Sequence, residues 1–136
     1  MSTEQEKFWE GDFGDDYISR NKSDSLLAAN LSLFSDILQK TGPIDSVLEL
    51  GCNVGMNLMA LEILSPGTSI CGVDINKSAI EELKEHKPNY ELHTQSIIDS
   101  LDINSADLSF TKGVLIHINP EKLNDVYKNL YNKSNK

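Results

Sequence analysis

Residues 47–57 hold the groups whose types and spacing point most directly to chemistry: Val47-Leu48-Glu49-Leu50-Gly51-Cys52-Asn53-Val54-Gly55-Met56-Asn57. An apolar run ends in an acid, two glycines follow four positions apart, and a helical pattern begins. A buried parallel strand that turns into a helix around a small charged ligand has this form. A second apolar run, Ser69–Val73, ends in Asp74, about two dozen residues on. An acid at the tip of a second strand is placed to hold the two hydroxyls of a ribose. Together the two features predict a site for a nucleoside cofactor.

The glycine spacing separates the candidate ligands. A dinucleotide site wants G-x-G-x-x-G, with a glycine close to the pyrophosphate. Here the series is Gly51, Asn53, Gly55, and Met occupies position 56. Glu49-Leu50-Gly51-Cys52-Asn53-Val54-Gly55 resembles instead the E/D-x-G-x-G-x-G turn of Rossmann-like methyltransferases, with Asn53 in place of the middle glycine. Asn tolerates left-handed backbone angles, so the turn survives the change. Glu49 would repel a pyrophosphate but suits the ammonium of S-adenosylmethionine, directly or through water. A nucleotide-dependent oxidoreductase is disfavoured on the same grounds.

These residues must be positioned by a fold, and 136 residues make one domain able to bury a core. The pattern alternates strands and helices. Thr3 and Glu6 form a capping-box pattern for a short helix to about Trp9; Gly11 and Gly14 interrupt it, and Asp15 caps a turn through Arg20. Ser23 opens a longer helix with Leu26, Leu27, Leu31, Leu33, Phe34, Ile37 and Leu38 on its apolar face, stopped by Gly42-Pro43. Strands are predicted at Ser46–Leu50, Ser69–Asp74, about Tyr90–Thr94 and about Asp107–Thr111. Helices are predicted at about Asn57–Leu64, from the Asn76 cap to about His86, and from Asn119-Pro120 to about Tyr131. Such alternation implies an α/β fold, a Rossmann-like three-layer αβα arrangement with a mainly parallel sheet.

Composition narrows the partners. A net charge of −9 argues against a phosphate backbone, and no basic run supports nucleic-acid or anionic-membrane binding. No apolar stretch reaches the ~18 residues of a membrane span, and the polar N-terminus is unlike a signal peptide. A cytoplasmic protein is expected. Cys52 and Cys71 read as free thiols in core elements. His86 and His93 have no metal partner at useful spacing and read as surface residues, so no metal site is expected.

The chain resembles class I S-adenosylmethionine-dependent methyltransferases, and more narrowly those associated with pseudaminic acid biosynthesis, a nonulosonic acid pathway of bacterial surface glycans. The narrower resemblance rests on Glu4–Asn21, Ser46–Leu61 and Phe110–Pro120; the middle stretch is shared across the superfamily and the outer two are distinctive. It implies S-adenosylmethionine as cofactor, S-adenosylhomocysteine as product and a small sugar-type acceptor. Phe8, Trp9, Phe13 and Tyr17 concentrate aromatic area in residues 1–22, which are expected to form a lid, or else to cap the open end of the sheet, ahead of a Rossmann-like core over 23–136. Methyltransferases of this fold build a seven-stranded sheet, whereas this chain has material for four strands. The C-terminal strands are therefore expected to be missing, with a bare edge on strand four that favours self-association or a covering partner. A non-catalytic cofactor-binding fragment is the alternative reading.

Methyl transfer needs few side chains, since the sulfonium methyl is already activated and the protein supplies position and desolvation. A base is needed only for a hydroxyl or protonated amine. His117, three residues before Pro120, is the candidate. Thr111, Lys112 and Gly113 stand at the exit of strand four, where open parallel sheets bind ligands. By resemblance, Tyr17 and Arg20 reach the cofactor's carboxylate end, Arg20 as a charge-assisted donor. Ser96 falls where many relatives carry an acid for the adenine amino group, and Ile75 and Ile97 would flank the ring.

Overall fold

The computed structural model describes residues 2–14 and 24–135. Thr3 starts helix α1 (Glu4–Glu10) through a full capping box. Its Oγ1 accepts from the Glu6 N–H at 3.2 Å, and its own N–H donates to the Glu6 carboxylate at 2.8 Å. The expected turn from Asp15 through Arg20 lies outside the described residues, and so do Tyr17, Arg20 and Ser23. Helix α2 (Asp24–Thr41) presents Phe34, Leu27, Leu31, Ile37 and Leu38 to the core. Leu33, expected on that face, is 41% exposed, because it flanks the stripe rather than lying on it. The buried polar position on the stripe is Asn30.

Four parallel strands follow: β1 (Ser46–Leu50), β2 (Ser69–Asp74), β3 (Glu91–Thr94) and β4 (Leu108–Phe110), in the order β3-β2-β1-β4. Between them run α3 (Met56–Leu64) and α4 (Lys77–His86), the latter capped by Asn76 Oδ1 accepting from the Ala79 N–H at 2.9 Å. Strand alternation separates two cores. Val47, Ile70 and Leu92 meet α2, α3 and α4 on one face; Leu48, Leu50 and Val73 meet Ile97, Leu101 and Val126 on the other. Asn119 caps a 3-10 turn, Pro120–Lys122, and α5 (Leu123–Asn132) begins only after it, later than its cap signal implied.

β4 is shorter than the sequence pattern predicts. Asp107 donates its N–H to Ser46 Oγ at 2.9 Å, and Thr111 Oγ1 donates to the Leu50 carbonyl at 2.8 Å, so side chains replace ladder bonds at both ends. Its outer edge is also less bare than expected. Ala106 N–H donates to the Lys133 carbonyl and Asn135 N–H to the Ala106 carbonyl, each at 2.8 Å, which pairs Ser134 in parallel with Ala106. Leu108 and Phe110 pack inward on the first core, Phe110 with its ring 5.1 Å from that of Phe34. No helix among the described residues is long and apolar enough to cross a membrane.

Candidate functional site

The two features that stand apart in the sequence meet in space. After β1 the chain turns tightly, held by the Gly51 N–H on the Val73 carbonyl at 2.7 Å. Gly51 and Asn53 both take left-handed angles, φ +83° and +48°, and Asn53 is the one described non-glycine residue that does so. Its Oδ1 accepts from the Val54 N–H at 2.9 Å, the local bond that makes Asn suitable there. Its backbone N–H donates to Asp74 Oδ2 at 2.8 Å, and Asp74 Oδ1 accepts from the Asn76 N–H at 2.8 Å. The carboxylate at the tip of β2 thus anchors the turn after β1. Burial pushes the Asp74 pKa up, against the lowering effect of these backbone donors.

Around this junction lies a cavity of about 230 Å³. The turn contributes Gly51, Asn53 and Val54, the β2 exit Asp74 and Ile75, the β3 exit Ile97, and the segment after β4 Lys112, Gly113, Val114 and His117. Gln5, Glu6 and Trp9 of α1 complete the wall, with Leu26 and Asn30 of α2. Three contacts hold α1 across the strand ends. Glu6 bonds the Ser96 hydroxyl, the Trp9 carbonyl accepts from Asn76 Nδ2 at 3.0 Å, and the Trp9 and His117 rings lie 4.6 Å apart. Trp9 and His117 also border a second, shallower cleft with Glu4, Gln5, Phe8 and Ile116.

Not every expected residue reaches the cavity. Glu49 stands one layer behind it, because strand alternation turns its side chain toward α3. There its Oε2 accepts from Asn57 Nδ2 at 2.6 Å, while Oε1 is buried with no partner. Burial raises the Glu49 pKa to about 8, with the Asn57 bond working the other way. Gly55 caps α3, and a Cβ there would come within 2.7 Å of Leu83 Cδ1, so α4 packing demands glycine at that point. Thr111 is spent on the Leu50 carbonyl. The Ser96 hydroxyl is taken by Glu6 and by the Ile98 N–H at 3.1 Å, so it does not line the cavity. Gly51, Asn53, Asp74, Ile75, Ile97, Lys112, Gly113 and His117 all line it.

Sequence reasoning missed Glu6 and Asn30. Glu6 was accounted for as a capping residue. Asn30, one turn beyond Leu27 and before Phe34, was a polar interruption of an apolar stripe, which is a usable signal. His93 also has neighbours that chain spacing conceals. Strand register sets Cys71 beside Glu91, and the donor atoms of Cys71, Glu91 and His93 lie within 4.8 Å of one another. His93 Nε2 contacts Glu91 Oε1 at 2.8 Å. Burial pushes the Cys71 thiol up to about 12, with the charge of Glu91 adding to it. His86 is a surface residue, its Nδ1 against the Glu82 carbonyl.

This geometry has known counterparts. Magnesium protoporphyrin IX methyltransferase (ChlM) from Synechocystis PCC 6803, solved with S-adenosylhomocysteine (SAH) bound, superimposes with a TM-score of 0.76 at 15% identity, over 96% of this chain and 66% of its own. CalS10, an amino pentose methyltransferase from Micromonospora echinaspora solved with S-adenosylmethionine, gives 0.70 at 14% identity, over 90% of this chain and 51% of its own. PH0226 from Pyrococcus horikoshii OT3 gives 0.69 at 23% identity, over 82% and 50%. The chain therefore spans about half the length of the latter two. Among curated proteins none matches it. These likenesses establish a Rossmann-like methyltransferase fold. The family described as methyltransferase domain matches residues 48–134, from β1 through α5, and the chain belongs to that family.

Proposed function

We propose that the chain forms the cofactor-binding core of an S-adenosylmethionine-dependent methyltransferase that acts on a small sugar-type acceptor. The observation that carries this reading is Asp74, fixed by the Asn53 and Asn76 N–H groups and facing the cavity. Its two oxygens keep lone pairs for the two hydroxyls of a ribose. The orphaned Glu49 Oε1 behind the turn fits a ligand with a cationic end near Asn57. When bound, S-adenosylmethionine supplies an activated methyl group. The turn and Lys112 orient the ligand, and α1 excludes water from it.

His117 stands at the border of the cavity and the second cleft, where it can accept the proton of an acceptor hydroxyl. Phe8 and Trp9 offer apolar faces in that cleft, and Glu4 and Gln5 offer hydroxyl partners. That combination suits a small sugar, and CalS10 is a methyltransferase of an amino pentose. The resemblance of Glu4–Asn21 and Phe110–Pro120 supports the reading of an acceptor among pseudaminic or related nonulosonic acids. Beyond the Ser134 pairing, we propose that the remaining β4 edge lets the chain self-associate. Sedimentation velocity over rising concentration should then return a dimer, and a monomer throughout rejects it.

Calorimetry with SAH tests the cofactor site. Asp74→Ala should weaken binding by about 1.5–3 kcal/mol, the range for hydrogen bonds to a charged group. Unchanged affinity, with circular dichroism showing an intact fold, would remove Asp74 from the site. Radiolabel transfer to candidate sugars tests the acceptor, and labelled product with none of them rejects the sugar reading.

A further inference from the structure

We infer that Glu6 of α1 is the acceptor for the 6-amino group of an adenine base, so that the N-terminal helix reads the identity of the nucleoside. The inference rests on the cofactor reading above. With ribose hydroxyls at Asp74, the order β3-β2-β1-β4 leaves one direction for the base. The glycine turn lies on the β1 side, so the base extends toward the exit of β3. Ile75 and Ile97 line the cavity there and supply apolar faces for a flat ring. A purine also needs a polar partner at its edge.

The β3 exit does not supply one from its own side chains. The Ser96 hydroxyl is already bonded to Glu6 and to the Ile98 N–H. The cavity wall holds two carboxylates among the described residues, Asp74 and Glu6. Glu6 is 7% exposed, and its bond to Ser96 fixes it beside Ile97. A carboxylate has about four acceptor sites. Glu6 uses one on each oxygen, for Ser96 Oγ and the Thr3 N–H, and keeps the others for a ligand. A buried carboxylate in a cavity wall calls for a donor, which a 6-amino group provides and a 6-hydrogen purine does not. The polar partner at the edge of the base is therefore supplied from α1. It also ties base recognition to the seating of the helix that roofs the cavity.

The test compares the affinity of the full chain for SAH with that for its 6-deamino analogue, in which hydrogen replaces the amino group, by calorimetry. The wild-type chain should prefer SAH by roughly 10- to 100-fold, the discrimination of a site built to bond an N–H. Glu6→Ala should bring that ratio close to one. Glu6→Gln preserves the capping-box pattern, guards against loss of α1, and should reduce the ratio while circular dichroism stays unchanged. Equal loss of affinity for both ligands in the variants would mean that Glu6 only seats the helix, and would overturn the assignment. Equal wild-type affinities would overturn it as well, while leaving the cofactor reading in place. If the wild-type chain binds neither ligand, that reading falls and Glu6 with it.

Discussion

Replacing Gly51 by valine will abolish SAH binding and destabilise the fold by roughly 2–6 kcal/mol, the sum of backbone strain and overpacking. Two independent causes act at this position. The φ of +83° is one that a β-branched residue almost never adopts. A Cβ there would also lie 2.6 Å from Val114 Cγ2, with Cγ1 at 3.2 Å. Val114 sits in the cavity wall and packs on the second core, so it can yield only into the ligand space or the core. The two causes can be separated. Gly51→Ala in a Val114→Ala background loses the collision and keeps the strain, so the pair should couple by about 0.5–2 kcal/mol in a double-mutant cycle on urea melts. Far-UV circular dichroism of Gly51→Val should keep most helical signal. Retained SAH affinity in Gly51→Val would show that the turn is not the binding site.

The parts of this site legible in the sequence are those encoded by short-range physics. β1 and β2 are buried on both faces and read as apolar runs, and the turn between β1 and α3 announces itself through residues that accept left-handed angles. Asp74 could be placed at a strand tip because β2 ends there. What was not legible depends on where side chains point after folding. Glu49 was in the right motif, yet alternation sends it behind the cavity to Asn57. Ser96 was at the right place in the chain, but its hydroxyl meets Glu6 from a helix 90 residues away in sequence. Glu6 already had a local explanation as a cap, and nothing local said it had a second role. The Cys71, Glu91 and His93 group arises from strand register alone.

Glu49→Gln should stabilise the chain at alkaline pH and flatten its stability profile. The glutamate ionises near 4.5 when unfolded and near 8 when folded, where burial disfavours the charge. Between those values the folded state holds a proton that the unfolded state has released, so stability falls as pH rises. The full contribution is present below about 4.5, is lost progressively toward 8, and changes no further above it. At about 1.4 kcal/mol per pH unit, the loss across the window is on the order of 4–5 kcal/mol. Glutamine stays neutral, keeps one oxygen toward Asn57 and escapes the loss. Urea melts of both proteins at pH 5, 7 and 9 check this: near-equal stability at the lowest pH and a widening gap above it are expected. Parallel profiles would show that Glu49 is ionised throughout, with Lys112 or water compensating its charge. The same proton bears on function. A cationic ligand end near Asn57 favours the ionised carboxylate, so binding below pH 8 should release a proton and affinity for S-adenosylmethionine should rise with pH. Calorimetry in buffers of different ionisation enthalpy measures that proton directly, and its absence in Glu49→Gln would tie it to this residue.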